Sequence, residues 1–230
     1  MVFARLAALL LLPVALASCV LAPGKFTSTL TVNADRSFAF SYIGEVINAE
    51  PDGDAMSDQG SSDDNPADGA KRKATKKAEA DAKNRAIAAK LSKEAGYRKV
   101  AYLGDGVFMI DYAVSGRLDH AFVWPFNIDA EVILPFIAIE LRQDGVVRVK
   151  APAFANEGKS ASPAISGMPG AESLQGLSRL DGVFTLDTDA DIISQSSEDD
   201  VKLAGRRKTM VWQATPTLKS APTAVLRLGQ

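Results

Sequence analysis

Only one of the 230 residues is cysteine, Cys19, and only one is histidine, His120. A lone cysteine excludes an intramolecular disulfide, and a lone histidine leaves Ser–His–Asp triads and most zinc sites short of members. His120 follows Asp119 and reads as a loop or strand-edge residue, with a general base as the less favoured alternative. No glycine-rich loop is followed by the lysine that a phosphate cradle needs, and Gly104-Asp105-Gly106 is a turn signal. Ser166-Gly167 and the serines around it lack the context of a nucleophile elbow. An excess of one charge is missing as well. The chain carries 26 basic and 28 acidic residues, a formal net charge of −2, which gives no reason to expect nucleic acid as a partner. After Cys19 no apolar run approaches the roughly 20 residues of a bilayer-spanning helix.

What is present begins at the N-terminus. Arg5 precedes an apolar stretch from Leu6 to Ala17, followed by Ser18-Cys19. One positive charge and about a dozen apolar residues make a secretory signal, too short for a permanent anchor. Leu16-Ala17-Ser18-Cys19 resembles the lipobox of bacterial lipoproteins, in which small residues precede a cysteine that becomes lipidated. The resemblance implies a signal peptide over 1–18, cleavage before Cys19 and a lipid anchor, with palmitate-type chains, on that residue. Two or three acyl chains on one residue anchor stably, unlike a single chain. Val20 and Leu21 stand where an aspartate would retain such a protein at the inner membrane. The implied location is the cell envelope, on the periplasmic face of the outer membrane in a Gram-negative host. The alternative is an ordinary signal with a chance cysteine at its end.

Residues 19–25 read as a lipidated tether and 26–230 as one domain. Phe26, Ser28, Leu30 and Val32 alternate with polar residues, Asn33-Ala-Asp-Arg36 offers a turn, and Ser37 to Val46 resumes the alternation. This is a hairpin pattern. Residues 48–70 then hold seven acidic residues, no basic ones, and Gly and Pro, which predicts a disordered linker. Lys71 to Ala95 holds nine basic residues, three acidic and eight alanines with no Gly or Pro, which predicts a helix. Its apolar stripe is narrow: Ala78, Ala82, Ala86, Ala89 and Leu91, with Ile87 beside them. Two roles fit it: lying on anionic headgroups, or docking on a sheet with its basic face in water. The second is favoured, because the stripe lacks Trp or Phe and the acidic linker would screen the charge.

Strand patterns follow over 99–103, 106–115 and 121–126. Phe136 to Arg142, Gln143-Asp-Gly145 and Val146 to Lys150 spell a tight hairpin around Asp-Gly. Residues 155–180 read as a long loop, a lid or slack chain. Strands over 182–186, 191–195, 208–215 and 224–228 complete the domain. The expected class is α+β, an antiparallel meander with one long basic Ala/Lys-rich helix packed on a face.

This layout resembles the LppM-type envelope lipoproteins at three places. They are the Leu30-Thr-Val-Asn-Ala-Asp35 strand and turn, the Ile139–Val149 hairpin, and the run from Phe184 through Asp191-Ile-Ile and Gly205 to Thr209-Met-Val-Trp212. The acidic linker and the Ala/Lys helix depart from that pattern. The resemblance implies a non-enzymatic envelope domain with an apolar, lipid-sized cleft between sheet and helix. Ile87, Leu91 and Trp212 are the residues expected to line it, with Met210 and Trp212 on the covered face beside Phe184. The expected partners are the membrane, through lipid on Cys19, and an apolar ligand or an envelope protein; no cofactor is expected.

Two acidic patterns carry the competing chemistry. Asp187, Asp189, Asp191 and Glu198 have the 1, 3, 5, 12 spacing of an EF-hand calcium loop, but Ile192 stands where the turn needs glycine. A solvated turn between two strands is the favoured reading. Acids such as Asp105, Asp111 or Asp119 would serve a carboxylate-based hydrolase of envelope glycans, the alternative to a non-enzymatic binding or structural module.

Overall fold

The computed structural model describes residues 20–49, 66–125, 135–155 and 179–229. Strands form where alternation presents one apolar and one polar face. They are β1 (Val20–Val32), β2 (Ser37–Ala49), β3 (Tyr97–Gly104), β4 (Val107–Arg117), β5 (Phe122–Trp124), β6 (Ile137–Leu141) and β7 (Val146–Lys150). After these come β8 (Asp181–Thr188), β9 (Asp191–Gln195), β10 (Lys202–Ala204), β11 (Arg207–Ala214) and β12 (Thr223–Arg227), and helix α1 spans Pro66–Leu91.

The α+β class with mostly antiparallel pairing stands. Its strands divide into two sheets, ordered β10-β11-β8-β1-β2-β4-β3 and β5-β6-β7-β12-β9. One pair is parallel: β1 runs alongside β8, with Leu30 opposite Leu186. A connection from β8 into β9 crosses between the sheets, because β8 lies in the larger and β9 in the smaller. The core lies between them. Leu30, Phe40, Tyr42, Phe184, Leu186 and Met210 from the large sheet, and Ile137, Ile139, Val149 and Leu226 from the small one, are almost wholly excluded from solvent. Aromatic rings run through this layer as a contiguous series. Phe40, Tyr42 and Phe136 all contact Trp124, and Phe26 stacks on Phe154 at 4.3 Å. Phe184 continues the series onto Trp212 at 5.4 Å, so Met210 and Trp212 do share the covered face beside Phe184.

Turn chemistry is local. At the hairpin between β6 and β7, Asp144 and Gly145 adopt φ of 60° and 70°, the left-handed pair that Asp-Gly supplies. At Gly44 the requirement is space: a Cβ there would lie 2.3 Å from the Lys25 carbonyl and 2.5 Å from the Phe26 Cα. The register of β1 on β2 shifts between Pro23 and Phe26, and the bulge pushes its backbone onto Gly44.

Four boundaries differ from the sequence expectation. Residues 20–25, expected as tether, are the first part of β1 and pair with β2 from Val20 opposite Ala49. The linker expected over 48–70 is shorter at both ends, since Asn48 and Ala49 close β2 and 66–70 belong to α1; residues 50–65 lie outside the described residues. The helix expected over 71–95 begins at Pro66 and ends at Leu91. Proline, read as a linker signal, suits a first helical position, where its missing N–H is an orphan anyway. The C-terminus unwinds through tight turns, Lys93 N–H to the Lys90 carbonyl and Glu94 N–H to that of Leu91, into Gly96 at φ 91°. The loop expected over 155–180 lies outside the described residues except at its ends, Ala155 and 179–180.

The helix rests on the same face of the large sheet as the small sheet does, at the β3 end. Tyr97, Val100 and Tyr102 of β3 stand opposite Tyr112, Ile110 and Phe108 of β4, whose side chains are buried. The buried side of α1 is not the alanine stripe. Ala78, Ala82, Ala86 and Ala89 are exposed, while Asn84 and Ala88 are buried and Ile87 and Leu91 half-buried. Methyl groups alone hold little area to bury, so the two branched residues and one hydrogen-bonding amide set the helix's rotation.

Candidate functional site

The end of the large sheet where β1 begins is where a lipid on Cys19 would attach, and three other segments meet there. Leu21 stands opposite Asn48 in β2, and the Asn48 N–H donates to the Gly106 carbonyl at 2.8 Å. Gly106, in the turn between β3 and β4, has φ 73° and approaches so closely that a Cβ would lie 2.5 Å from the Asn48 carbonyl. Helix α1 passes over this turn. Lys77 forms an ion pair with Asp105, and the Tyr102 hydroxyl donates to Asp81. Asn48 Nδ2 donates to Asn84 Oδ1 at 3.1 Å, and the Gly106 N–H donates to the Tyr102 hydroxyl at 3.1 Å. The hydrogen bond and charge of Asp105 raise the Lys77 ammonium above the usual lysine value.

This seam is polar, exposed at Lys77 and Asp105 and buried at its two asparagines. Asn48 is 7% and Asn84 3% exposed, and Asn48 Oδ1 finds no partner among the described residues. A buried amide with half its capacity unmet destabilises unless its hydrogen bonds fix something, and here they fix which turn of α1 meets which residue of β2. Sequence reading missed Asn48, Asn84, Asp81 and Tyr102 altogether. One signal was available: Asp81, Asn84, Ala88 and Leu91 recur at helical spacing, with a poor helix former, asparagine, inside an Ala/Lys run.

Cys19 lies outside the described residues. Ile87 packs against the core near the β3 end of the large sheet, and Leu91 is half-buried. Trp212 does not join them. Its strand, β11, stands five strand spacings from β3 in the sheet order, about 24 Å at the usual separation. The shared cleft expected from these three residues is therefore not assembled, and Trp212 is occupied by stacking on Phe184. The reason is topological: β1–β8 pairing and the β2–β4 hairpins place β8 and β11 on one side of β1 and the helix-bearing strands on the other.

The three candidate acids are strung along β4. Asp105 precedes it and pairs with Lys77, Asp111 is mid-strand and accepts from Arg98 Nε at 2.8 Å, and Asp119 follows it, 3.6 Å from Arg117. Asp105 and Asp119 are about 35 Å apart along an eleven-residue strand, with Asp111 near the middle, whereas glycosidase carboxylates sit about 5–10 Å apart. His120 is exposed in the bend after Asp119.

The alternating aspartates are divided among structural contacts. Asp187 forms an ion pair with Arg207 and accepts from Thr209 Oγ1 at 2.8 Å. Asp189 Oδ1 accepts from the Ala34 N–H at 2.7 Å, and Asp191 lies 3.3 Å from Lys208 Nζ. Glu198 is exposed beyond β9. Because the chain changes sheets at 189–190, Asp187 and Asp191 end on different sheets instead of converging in one loop. Among the described residues no group of three or more His, Cys, Asp or Glu is placed to hold a metal ion.

No protein-family model matches the chain, and neither does any curated protein. Among solved structures, the folded domain of the LppM protein of Mycobacterium tuberculosis is similar at 14% identity and a TM-score of 0.36, covering 91% of this chain and 92% of that one. An M1 zinc metallopeptidase from Deinococcus radiodurans is similar at 10% identity and a TM-score of 0.31, covering 90% of this chain and 42% of that one. At these TM-scores neither likeness carries a conclusion about family, ligand or activity. No helix among the described residues is long and apolar enough to cross a membrane.

Proposed function

We propose that this chain is a lipid-anchored protein of the bacterial cell envelope whose folded domain works as a non-enzymatic binding or structural module. The observation that carries the reading is Leu16-Ala17-Ser18-Cys19, a cysteine placed after a short apolar run and two small residues. The structure adds a mechanical fit to it. β1 begins at Val20, so the domain would sit directly on its anchor with no slack between them.

Support for a module comes from what the polar residues do. The acids available to a hydrolase are spread along β4 and paired with basic side chains, and the aspartate ladder stabilises turns. The interior between the sheets is filled by aromatic rings, so the apolar-ligand form of this reading loses its cleft at Trp212 and keeps only the helix seam near Ile87 and Leu91. A partner protein or the membrane surface is then the simpler occupant of the exterior.

Mass spectrometry of the N-terminus of the mature protein tests the anchor. The expected result is acyl mass on a chain beginning at Cys19, and loss of fatty-acid labelling and of normal processing in Cys19→Ser. A mature chain that starts elsewhere and carries no lipid overturns the proposal.

A further inference from the structure

We infer that the outer face of the large sheet is an interface between two copies of this chain, which pair sheet against sheet about a two-fold axis over β1. The interface stands on the sheet itself, and only the placement of both copies on one bilayer rests on the anchor proposed above.

Register defines the face. Val211, Thr185, Thr29, Ser41 and Ala113 stand side by side across β11, β8, β1, β2 and β4, on the side turned away from the core. A row from Gln213 to Asp111 flanks them toward Val20, and a row from Thr209 to Ser115 flanks them on the other side. All fifteen are exposed or half-buried, since α1 and the small sheet lie against the opposite face. Only two of the fifteen are charged, and both are tied, Asp111 to Arg98 and Asp187 to Arg207. The most exposed apolar side chain among them is Ile43, at 51%.

The small sheet shows what a face kept in water looks like in the same molecule. Its outer side, across β6, β7 and β12, carries Glu140, Arg142, Arg148, Lys150 and Arg227. The larger face withholds charge from its middle and keeps ion pairs at its edges, which is the composition of a protein interface.

Its size and pattern fit a second copy. Three rows across five strands measure about 24 Å by about 20 Å, so two such faces bury on the order of 1000 Å², the lower bound of a specific interface. An axis along β1, the middle of the five strands, sets Ile43 against Val183 of the second copy, Asp111 against its Gln213 and Ala113 against its Val211. A hollow of about 290 Å³ lies over Ser41, Ala39 and Ala113, and it receives the second copy's Thr185 and Val211. The same axis leaves both Val20 ends pointing one way, so both anchors reach one bilayer. Tethering there raises the effective concentration of an interface this small.

The test uses the mature, lipidated chain on vesicles. With the Cys19 sulfur acylated, one introduced cysteine is the only free thiol. Thr29→Cys lies on the axis, where facing sheets about 10 Å apart are within reach of a short bismaleimide. Val225→Cys, on the outer face of the small sheet, is the control. Position 29 is expected to yield cross-linked dimer several-fold above position 225, and the detergent-solubilised wild type to sediment as monomer and dimer in a ratio that shifts with concentration. Adding Ile43→Lys should abolish the cross-link at position 29 and leave the melting temperature unchanged. A thiol at 29 that reacts with a monofunctional maleimide but cross-links no better than one at 225 overturns the interface. A thiol at 29 that resists the reagent in a monomeric chain overturns it too, because something else then covers the face. A chain with no acyl mass at Cys19 overturns the anchor alone, and the same cross-link in a Cys19→Ser background in solution still decides the interface.

Discussion

Trp124 and Trp212 bring two indole N–H groups into the core, and neither finds a partner among the described residues. Each ring contributes area and aromatic contact while its donor goes unmet, so the ring and the donor have opposite effects. Trp212→Ala is expected to lose about 3–5 kcal/mol, because a large aromatic leaves a cavity beside Phe184. Trp212→Phe keeps the stack and removes the unmet donor, so its loss should be much smaller; urea denaturation of the two variants checks the order. Equal losses would mean that the indole nitrogen is satisfied after all. Tyr97 shows a different kind of residue effect. Burial pushes its phenol up to about 12, with Glu94 adding to the shift. A raised pKa in the folded state gives stability that is complete below the unfolded value near 10 and lost as pH rises through about 12. Stability should therefore drop across that window, by at most about 3 kcal/mol from this residue. Tyr97→Phe retains the ring 4.9 Å from Tyr112 and should flatten part of the drop in a pH series of unfolding curves. Gly44→Ala tests close approach: its Cβ would meet the β1 backbone, and an outcome milder than about 1 kcal/mol would show that the bulge can retreat.

Helix α1 is held to the sheet by a polar seam instead of a wide apolar stripe, and that predicts a particular asymmetry. Asn84→Ala removes the side-chain partner that Asn48 has among the described residues, so the variant should lose about 1–3 kcal/mol. Replacing Asn48 and Asn84 together with Leu should restore much of that loss. Hydrogen exchange localises the effect, with amides of 80–91 opening in the single variant before those of β1. Legibility follows the same division between local and distant causes. Period-two alternation located the strands, and Asp144-Gly145 located its own turn, because both signals are carried by neighbouring residues. The class followed from them. Residues 20–25 were read as tether because Pro23 and Gly24 mask a strand that bulges, and Pro66 was read as a linker residue because a helix start and a loop use the same amino acid. The rotation of α1 depends on Asn48, thirty-six residues away from Asn84, which no local window contains. The polar seam of Asn48, Asp81, Asn84 and Tyr102 was not legible, and Cys19, the residue the sequence singles out, lies outside the described residues. That Ile87 and Trp212 stand toward opposite edges of the sheet depends on the β1–β8 pairing, a contact such as Leu30 opposite Leu186 between distant segments.

At the scale of the whole molecule, the last strand completes the small sheet. β12 stands between β7 and β9 in the small sheet and contributes Ala224 and Leu226 to the core. Ending the chain at Pro222 should abolish cooperative unfolding, visible as loss of near-ultraviolet dichroism; a truncated chain that still melts sharply would show the small sheet to be dispensable. Such long-range closure also implies slow folding, in milliseconds or longer, for a sheet whose central pair joins distant segments. β1 has a further property as a mechanical element. It is interior to its sheet, bonded to β2 from Val20 on one side and to β8 from Lys25 on the other, and its first residue follows Cys19. Tension applied at that cysteine would run down the strand's own axis, so both ladders would be strained together in shear. They could not be opened one bond at a time, as a zipper is.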